Sequence, residues 1–122
     1  MNQVIAIFIG GGLGSITRFG ISKFSLSYIP LKFPIATMLS NVIACIVLAL
    51  IVFIGQKIQI SPTLKLFVTV GFCGGLSTFS TFSLENFELI KNGMLTYAFV
   101  NILISIIGCL LVFYWLYKSF SL

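Results

Sequence analysis

The chain has 122 residues, 59% of them hydrophobic and only 7% charged, with a net charge of +5. Soluble domains carry about 25% charged residues to wet their surface, so seven basic and two acidic side chains exclude one of this size. The absence of histidine excludes imidazole chemistry, and the six lysines and one arginine stand singly, without the basic stripe that tracks nucleic acid.

About 20 apolar residues carry a helix across the hydrocarbon core, and four such runs fill the chain. They lie at about 4–28, 33–55, 63–90 and 94–117, which predicts an all-α membrane protein, one four-helix domain over 1–122. Arg18 and Lys23 interrupt the first run, while the second and fourth are uncharged. Pro30 and Lys32, then Gln56, Lys57, Ser61 and Pro62, then Lys91, Asn92 and Gly93 form the connectors, with turn chemistry suited to tight hairpins. Met1, Asn2 and Gln3 lack the positive region of a cleavable signal peptide, so the first span is expected to stay.

Four spans return both termini to one side. That side would hold Lys57, Lys65 and Lys118, and the other Lys23, Lys32 and Lys91. Orientation normally follows an excess of positive charge on the cytoplasmic side, and here there is none. Either other cues orient the chain, or it inserts both ways and pairs as an inverted dimer, as fused inverted repeats do within one transporter.

Polar residues inside spans mark inward faces. In the first span, Ala6, Gly10 and Gly14 recur every four residues, a spacing that lets helices approach closely. Arg18 and Ser22 continue that face. An arginine within a span costs roughly 2.5–3.5 kcal/mol, so Arg18 either snorkels or lines an aqueous vestibule. In the second span, the hydroxyls of Thr37 and Ser40 are expected to bond their own helix's carbonyls. Asn41 carries more donors than its helix satisfies, and serves either as helix glue or as a pore donor.

The third span reads Gly71-Phe72-Cys73-Gly74-Gly75-Leu76-Ser77-Thr78-Phe79-Ser80-Thr81-Phe82-Ser83. Each glycine weakens a helix by about 1 kcal/mol relative to alanine, so the pair Gly74-Gly75 is expected to break the helix at mid-membrane. Freed backbone groups are tolerated there only where they line a cavity or bind an ion. The alternative is a glycine-rich packing helix with a hydroxyl seam. In the fourth span Asn101 and Ser105 form a polar track or, equally, packing glue. Cys45, Cys73 and Cys109 read as small buried hydrophobes.

No carboxylate lies in the middle of a span, since Glu85 and Glu88 fall toward the end of the third. The available groups are donors: amides, hydroxyls, one arginine and the positive edges of aromatic rings. Such a lining suits passage of a small hard anion without a covalent or redox step. Enzyme activity is not expected.

These residues carry a resemblance. Over essentially its whole length the chain resembles the small dual-topology fluoride channels, the Fluc or CrcB family. The most specific match is Gly71 to Phe82, supported by Gly10 to Arg18 and by Phe33-Pro34 through Asn41. The resemblance implies an antiparallel homodimer in the cell membrane lipid bilayer, with two fluoride pores that export fluoride passively. It implies that Phe79 and Phe82 meet fluoride with their ring edges and that Asn41, Ser80 and Thr81 are the polar pore residues. Arg18 would stand near the pore entrance. A structural sodium ion at the dimer centre would be held by main-chain carbonyls of Gly74 and Ser77.

Four positions depart from the family's pattern. Asn101 stands where relatives commonly have tyrosine, Ala36 and Ala44 replace glycines, and Ser77 replaces a common threonine. Two other readings are a small multidrug exporter, which would need a carboxylate within the first span, and a membrane assembly subunit without transport of its own.

Overall fold

The computed structural model describes residues 2–28 and 32–121, and the regular structure among them is entirely helical. Helix α1 spans Gln3–Tyr28 and α2 spans Ile35–Ile54. A short α3, Pro62–Leu66, runs into a π-helical stretch, Phe67–Cys73, and then α4, Gly74–Leu76. Helices α5, Phe79–Lys91, and α6, Leu95–Ser121, complete the chain. Among the described residues, four segments are long and apolar enough to cross a membrane: Gln3–Tyr28, Ile35–Ile54, Pro62–Lys91 and Leu95–Ser121. The shortest, 20 residues, reaches about 30 Å at 1.5 Å per residue, which matches the hydrocarbon core. The chain is a multi-pass integral membrane protein.

Local chemistry sets the ends. Phe33 precedes a proline and is disfavoured in the helical region, so α2 begins at Ile35 rather than at 33. Ser61 caps α3 by accepting the Leu64 N–H at 3.2 Å, with Pro62 in the first helical turn. The turn into α6 needs Gly93 at φ 77°, where a side chain would be strained. Helix α6 runs past the expected 117 to Ser121, with Lys118 favourably placed in its last turn. Pro30, expected in the first connector, lies outside the described residues.

Two backbones meet where α1 crosses the π-helical stretch. A Cβ on Gly10 would collide with the Phe67 carbonyl oxygen, one on Gly14 with that of Phe72, and one on Gly75 with that of Gly11. The small-residue face of Ala6, Gly10 and Gly14 is buried, as its spacing implied. The glycine pair does something other than expected. Gly74 keeps helical dihedrals, φ −64° and ψ −36°, and Gly75 supplies the close approach to α1. The π-helical geometry just before the pair was not foreseen. Such stretches are short and often lie at functional sites.

Helices α2 and α6 share a small core of Ala49, Phe53 and Leu116. The Lys57 ammonium sits 5.4 Å over the Phe120 ring, so the second connector lies beside the C-terminal end of α6. That contact is what an even number of spans requires.

Candidate functional site

The site is organised by two residues between α4 and α5. Ser77 (φ −76°, ψ 152°) and Thr78 (φ −151°, ψ 114°) are both extended. In a continuous helix the N–H groups of Thr78 and Thr81 would close on the carbonyls of Gly74 and Ser77. Here the Thr78 N–H goes to Asn41 Oδ1 at 2.8 Å, and the Thr81 N–H to Thr78 Oγ1 at 3.2 Å. Thr78 is thus the N-cap of α5. Ser77 turns back, its N–H and hydroxyl both bonding the Cys73 carbonyl, at 2.9 and 2.7 Å.

The Gly74 and Ser77 carbonyls have therefore lost their helical donors. Gly74 is exposed, and a Cβ there would meet nothing within 4 Å. Open main-chain carbonyls are the donor type that a hard cation accepts, so these two residues fit the sodium-holding role expected of them.

A cavity of about 400 Å³ opens beside the linker. Asn41, Thr78, Phe79, Phe82 and Ser105 line it, together with Cys45 and Cys109. The Phe79 ring is 81% exposed and Phe82 is half-buried, their centroids 6.1 Å apart and the rings tilted by 37°. The bond to Thr78 fixes the Asn41 amide with its oxygen committed to the backbone, which leaves the NH₂ as the free donor end.

A second cavity, of about 250 Å³, lies between α1, α2 and α5. Arg18, Thr37, Ser40, Thr78, Thr81 and Glu85 are among its walls. Three buried atoms here have no hydrogen-bond partner among the described residues: Arg18 Nε, Ser40 Oγ and Glu85 Oε2. Unpaired buried polar atoms are rare in native proteins, and three converging on one polar cavity mark it as a place for small polar species. The cavity adjoins a wider cleft of about 730 Å³ that shares Ser22, Ala36 and Glu85 with it and adds Lys32, Glu88 and Asn92.

The expected site residues divide between these spaces. Asn41, Phe79, Phe82 and Ser105 come together in the first, and Arg18 and Thr81 in the second. Ser80 is exposed and lines neither cavity, its hydroxyl 3.4 Å from that of Thr78. Thr78 touches both, a position its sequence neighbours do not reveal.

Two hydroxyls behave differently from the expectation of satisfaction within their own helix. Thr37 donates to Glu85 Oε1 at 2.8 Å, because the residue four before it precedes the helix. Ser40, 1% exposed, bonds nothing. Glu85 is thereby drawn into the wall of the cavity that Arg18 also lines, closer to the site than its place in the span suggested.

Asn101 is buried at 1% exposure and lines neither cavity. Its Nδ2 donates to Asn86 Oδ1 at 3.0 Å, and Asn86 Nδ2 donates to the Phe82 carbonyl at 2.8 Å. The Ser105 hydroxyl donates to Asn101 Oδ1 at 3.3 Å. The track on α6 thus joins a buried relay that ends on the backbone of Phe82. Asn86 was missed, although a second asparagine four residues after Phe82 offered the signal.

A family model described as "CrcB-like protein, Camphor Resistance (CrcB)" matches residues 5–116. The chain belongs to the CrcB family. Among CrcB-family relatives, a fluoride-specific ion channel FluC of Citrifermentans bemidjiense is 40% identical over 111 residues, 90% of each chain. That of Serratia proteamaculans is 38% identical over 111 residues, 90% of this chain and 87% of its own. That of Methanococcus aeolicus is 40% identical over 116 residues, 93% of this chain and 91% of its own. The family match, over residues 5–116, reaches into each of the four spans.

Proposed function

We propose that this CrcB-family chain is a fluoride-selective channel in the cell membrane, working as an antiparallel homodimer that lets cytoplasmic fluoride leave passively. Relatives of matching length that bear the name of fluoride-specific channel support the reading. The observation that carries it is the Asn41–Thr78 bond, which commits the amide oxygen and leaves the amide donors to the cavity of Phe79 and Phe82.

Fluoride is small and strongly hydrated, so a path for it must replace water donors without trapping the ion. Amide N–H, hydroxyl O–H and positive ring edges do so with partial charges only. On this reading Arg18 draws anions into the second cavity, the hydroxyls of Ser40 and Thr81 hold them, and Asn41 with the two rings passes them on. Ser80, exposed in the single protomer, completes the path once the partner packs against it. No bond is made or broken, so the protein is a conductor and not an enzyme. Fluoride enters from acidic surroundings as neutral HF and is trapped inside as the anion; a selective leak driven by membrane potential removes it.

The even split of lysines between the two sides supports insertion in both orientations. The break between α4 and α5 belongs at mid-membrane, at the centre of the dimer. Sodium there would draw together carbonyls of Gly74 and Ser77 from each protomer, supplying a fixed positive charge.

The deciding experiment is fluoride release from liposomes containing only this protein, with chloride release as the paired control. Fluoride release with chloride retained is expected. Retention of both by folded, dimeric protein would overturn the reading in favour of a subunit without transport of its own.

A further inference from the structure

Asn86 of α5 and Asn101 of α6 are both buried, and neither lines the cavity of Phe79 and Phe82. Their hydrogen bonds nonetheless begin and end on that cavity's wall. Asn86 Nδ2 donates to the Phe82 carbonyl at 2.8 Å, Asn101 Nδ2 to Asn86 Oδ1 at 3.0 Å, and the Ser105 hydroxyl to Asn101 Oδ1 at 3.3 Å. Phe82 lines the cavity from α5 and Ser105 lines it from α6. The two amides are therefore a brace behind the corner where these helices meet.

Apolar surfaces hold helices together without fixing their register, because the hydrophobic effect is non-directional. Hydrogen bonds are short and directional. Among the described residues, the Asn86–Asn101 bond is the side-chain hydrogen bond that joins α5 to α6. A slip of α5 along α6 would strand these amides in a buried place, where unpaired polar groups are rare. The start of α5 is held separately from α2, by Asn41 Oδ1 on the Thr78 N–H at 2.8 Å. A helix held at one point can swing or turn, whereas one held at two cannot. Phe79 and Phe82 lie between the two holds, after Thr78 and before Asn86.

We infer that Asn86 and Asn101 are positioning residues for Phe82. They fix its turn of α5 against α6, and so set the gap between the Phe82 ring and the wall that carries Ser105. The consequence for ion flux rests on the channel reading; the holding of the ring does not.

The test uses the full-length protein with para-fluorophenylalanine in place of Phe82, read by fluorine NMR, beside fluoride release from liposomes by the same variants with ordinary Phe82. Asn101→Leu cuts the brace, and Asn101→Ala does so without steric demand, so a folding failure in one leaves the other decisive. Leu116→Ala, in the core of Ala49 and Phe53, is the control for loss of stability alone. One sharp line is expected from the parent and from Leu116→Ala, with equal fluoride release per dimer. Both Asn101 variants should give a split or broadened line and about tenfold slower release. A parental line or parental release from a folded Asn101 variant would overturn the inference, as would a line equally disturbed in Leu116→Ala. A line that depends on Asn101 in protein that never releases fluoride would overturn the channel and leave the brace standing.

Discussion

The side-chain oxygen of Asn41 accepts the backbone N–H of Thr78 at 2.8 Å, so a residue of α2 holds α5 at the point where helical geometry is lost. An unsatisfied buried N–H costs about 1–3 kcal/mol, and the amide removes that cost while the Gly74 carbonyl goes without its helical donor. Breaking the helix and orienting the Asn41 donors are therefore one event.

Asn41→Asp separates these two roles. A carboxylate still accepts the Thr78 N–H, but it presents a negative oxygen where the amide presented donors. Repulsion between unit charges 4 Å apart is about 4 kcal/mol at an effective dielectric of 20, on the order of a 1000-fold loss in rate. Fluoride release should be abolished in liposomes while chromatography still shows a dimer. Undiminished release would remove Asn41 from the path.

Glu85→Gln keeps an acceptor for Thr37 and removes the negative charge from the cavity that Arg18 also lines. An anion channel should conduct at least as well without it, and its flux should follow only the electrochemical gradient. A proton-coupled exporter would lose uphill transport on losing that carboxylate. Substrate accumulation driven by a pH gradient in the unsubstituted protein, abolished by Glu85→Gln, would favour the exporter.

Gly75→Ala places a methyl group against the Gly11 carbonyl, where only backbone can yield. Overpacking costs about 1–3 kcal/mol, and rigid neighbours put this case at the upper end. Thermal unfolding in detergent should show the loss, with Gly12→Ala on α1, where a Cβ meets nothing within 4 Å, as the unaffected control. Equal stability of the two variants would mean that α1 does not need this approach.

Asn101→Leu strips Asn86 and Ser105 of their partner. Hydrogen bonds between membrane helices contribute about 0.6 kcal/mol on average and up to about 1.7, so a coupling of about 1 kcal/mol is expected. The double variant with Asn86→Leu should be less destabilised than the sum of the single changes. Strict additivity in a thermodynamic cycle would show that the two amides do not act together.

Lys57→Cys in a background without the three native cysteines reports orientation. A reagent that cannot cross membranes should label about half of the chains from each side of the cell membrane, given the absence of charge bias. Labelling from one side alone would rule out the antiparallel pairing.

Much of this protein was legible in the order of its residues. Apolar runs of bilayer length leave a helix as the one structure that satisfies its own backbone in lipid, so the four spans followed from composition and spacing. The face of Ala6, Gly10 and Gly14 followed likewise, since small residues every four positions have one consequence for packing. Phe79 and Phe82 stood out as rings among hydroxyls.

What tertiary structure alone decided is where each polar group finds its partner. Asn41 with Thr78, Thr37 with Glu85 and Asn101 with Asn86 are pairs between helices, separated by 37, 48 and 15 residues. Helical periodicity names the face a residue occupies, but not the helix that meets it or the height at which they touch. For the same reason Gly74-Gly75 looked like the breaking point: the cost of glycine in a helix is local, whereas the acceptor that captures the Thr78 N–H comes from α2. Hydrogen bonds are short and directional, so these pairings were settled only when the four spans packed.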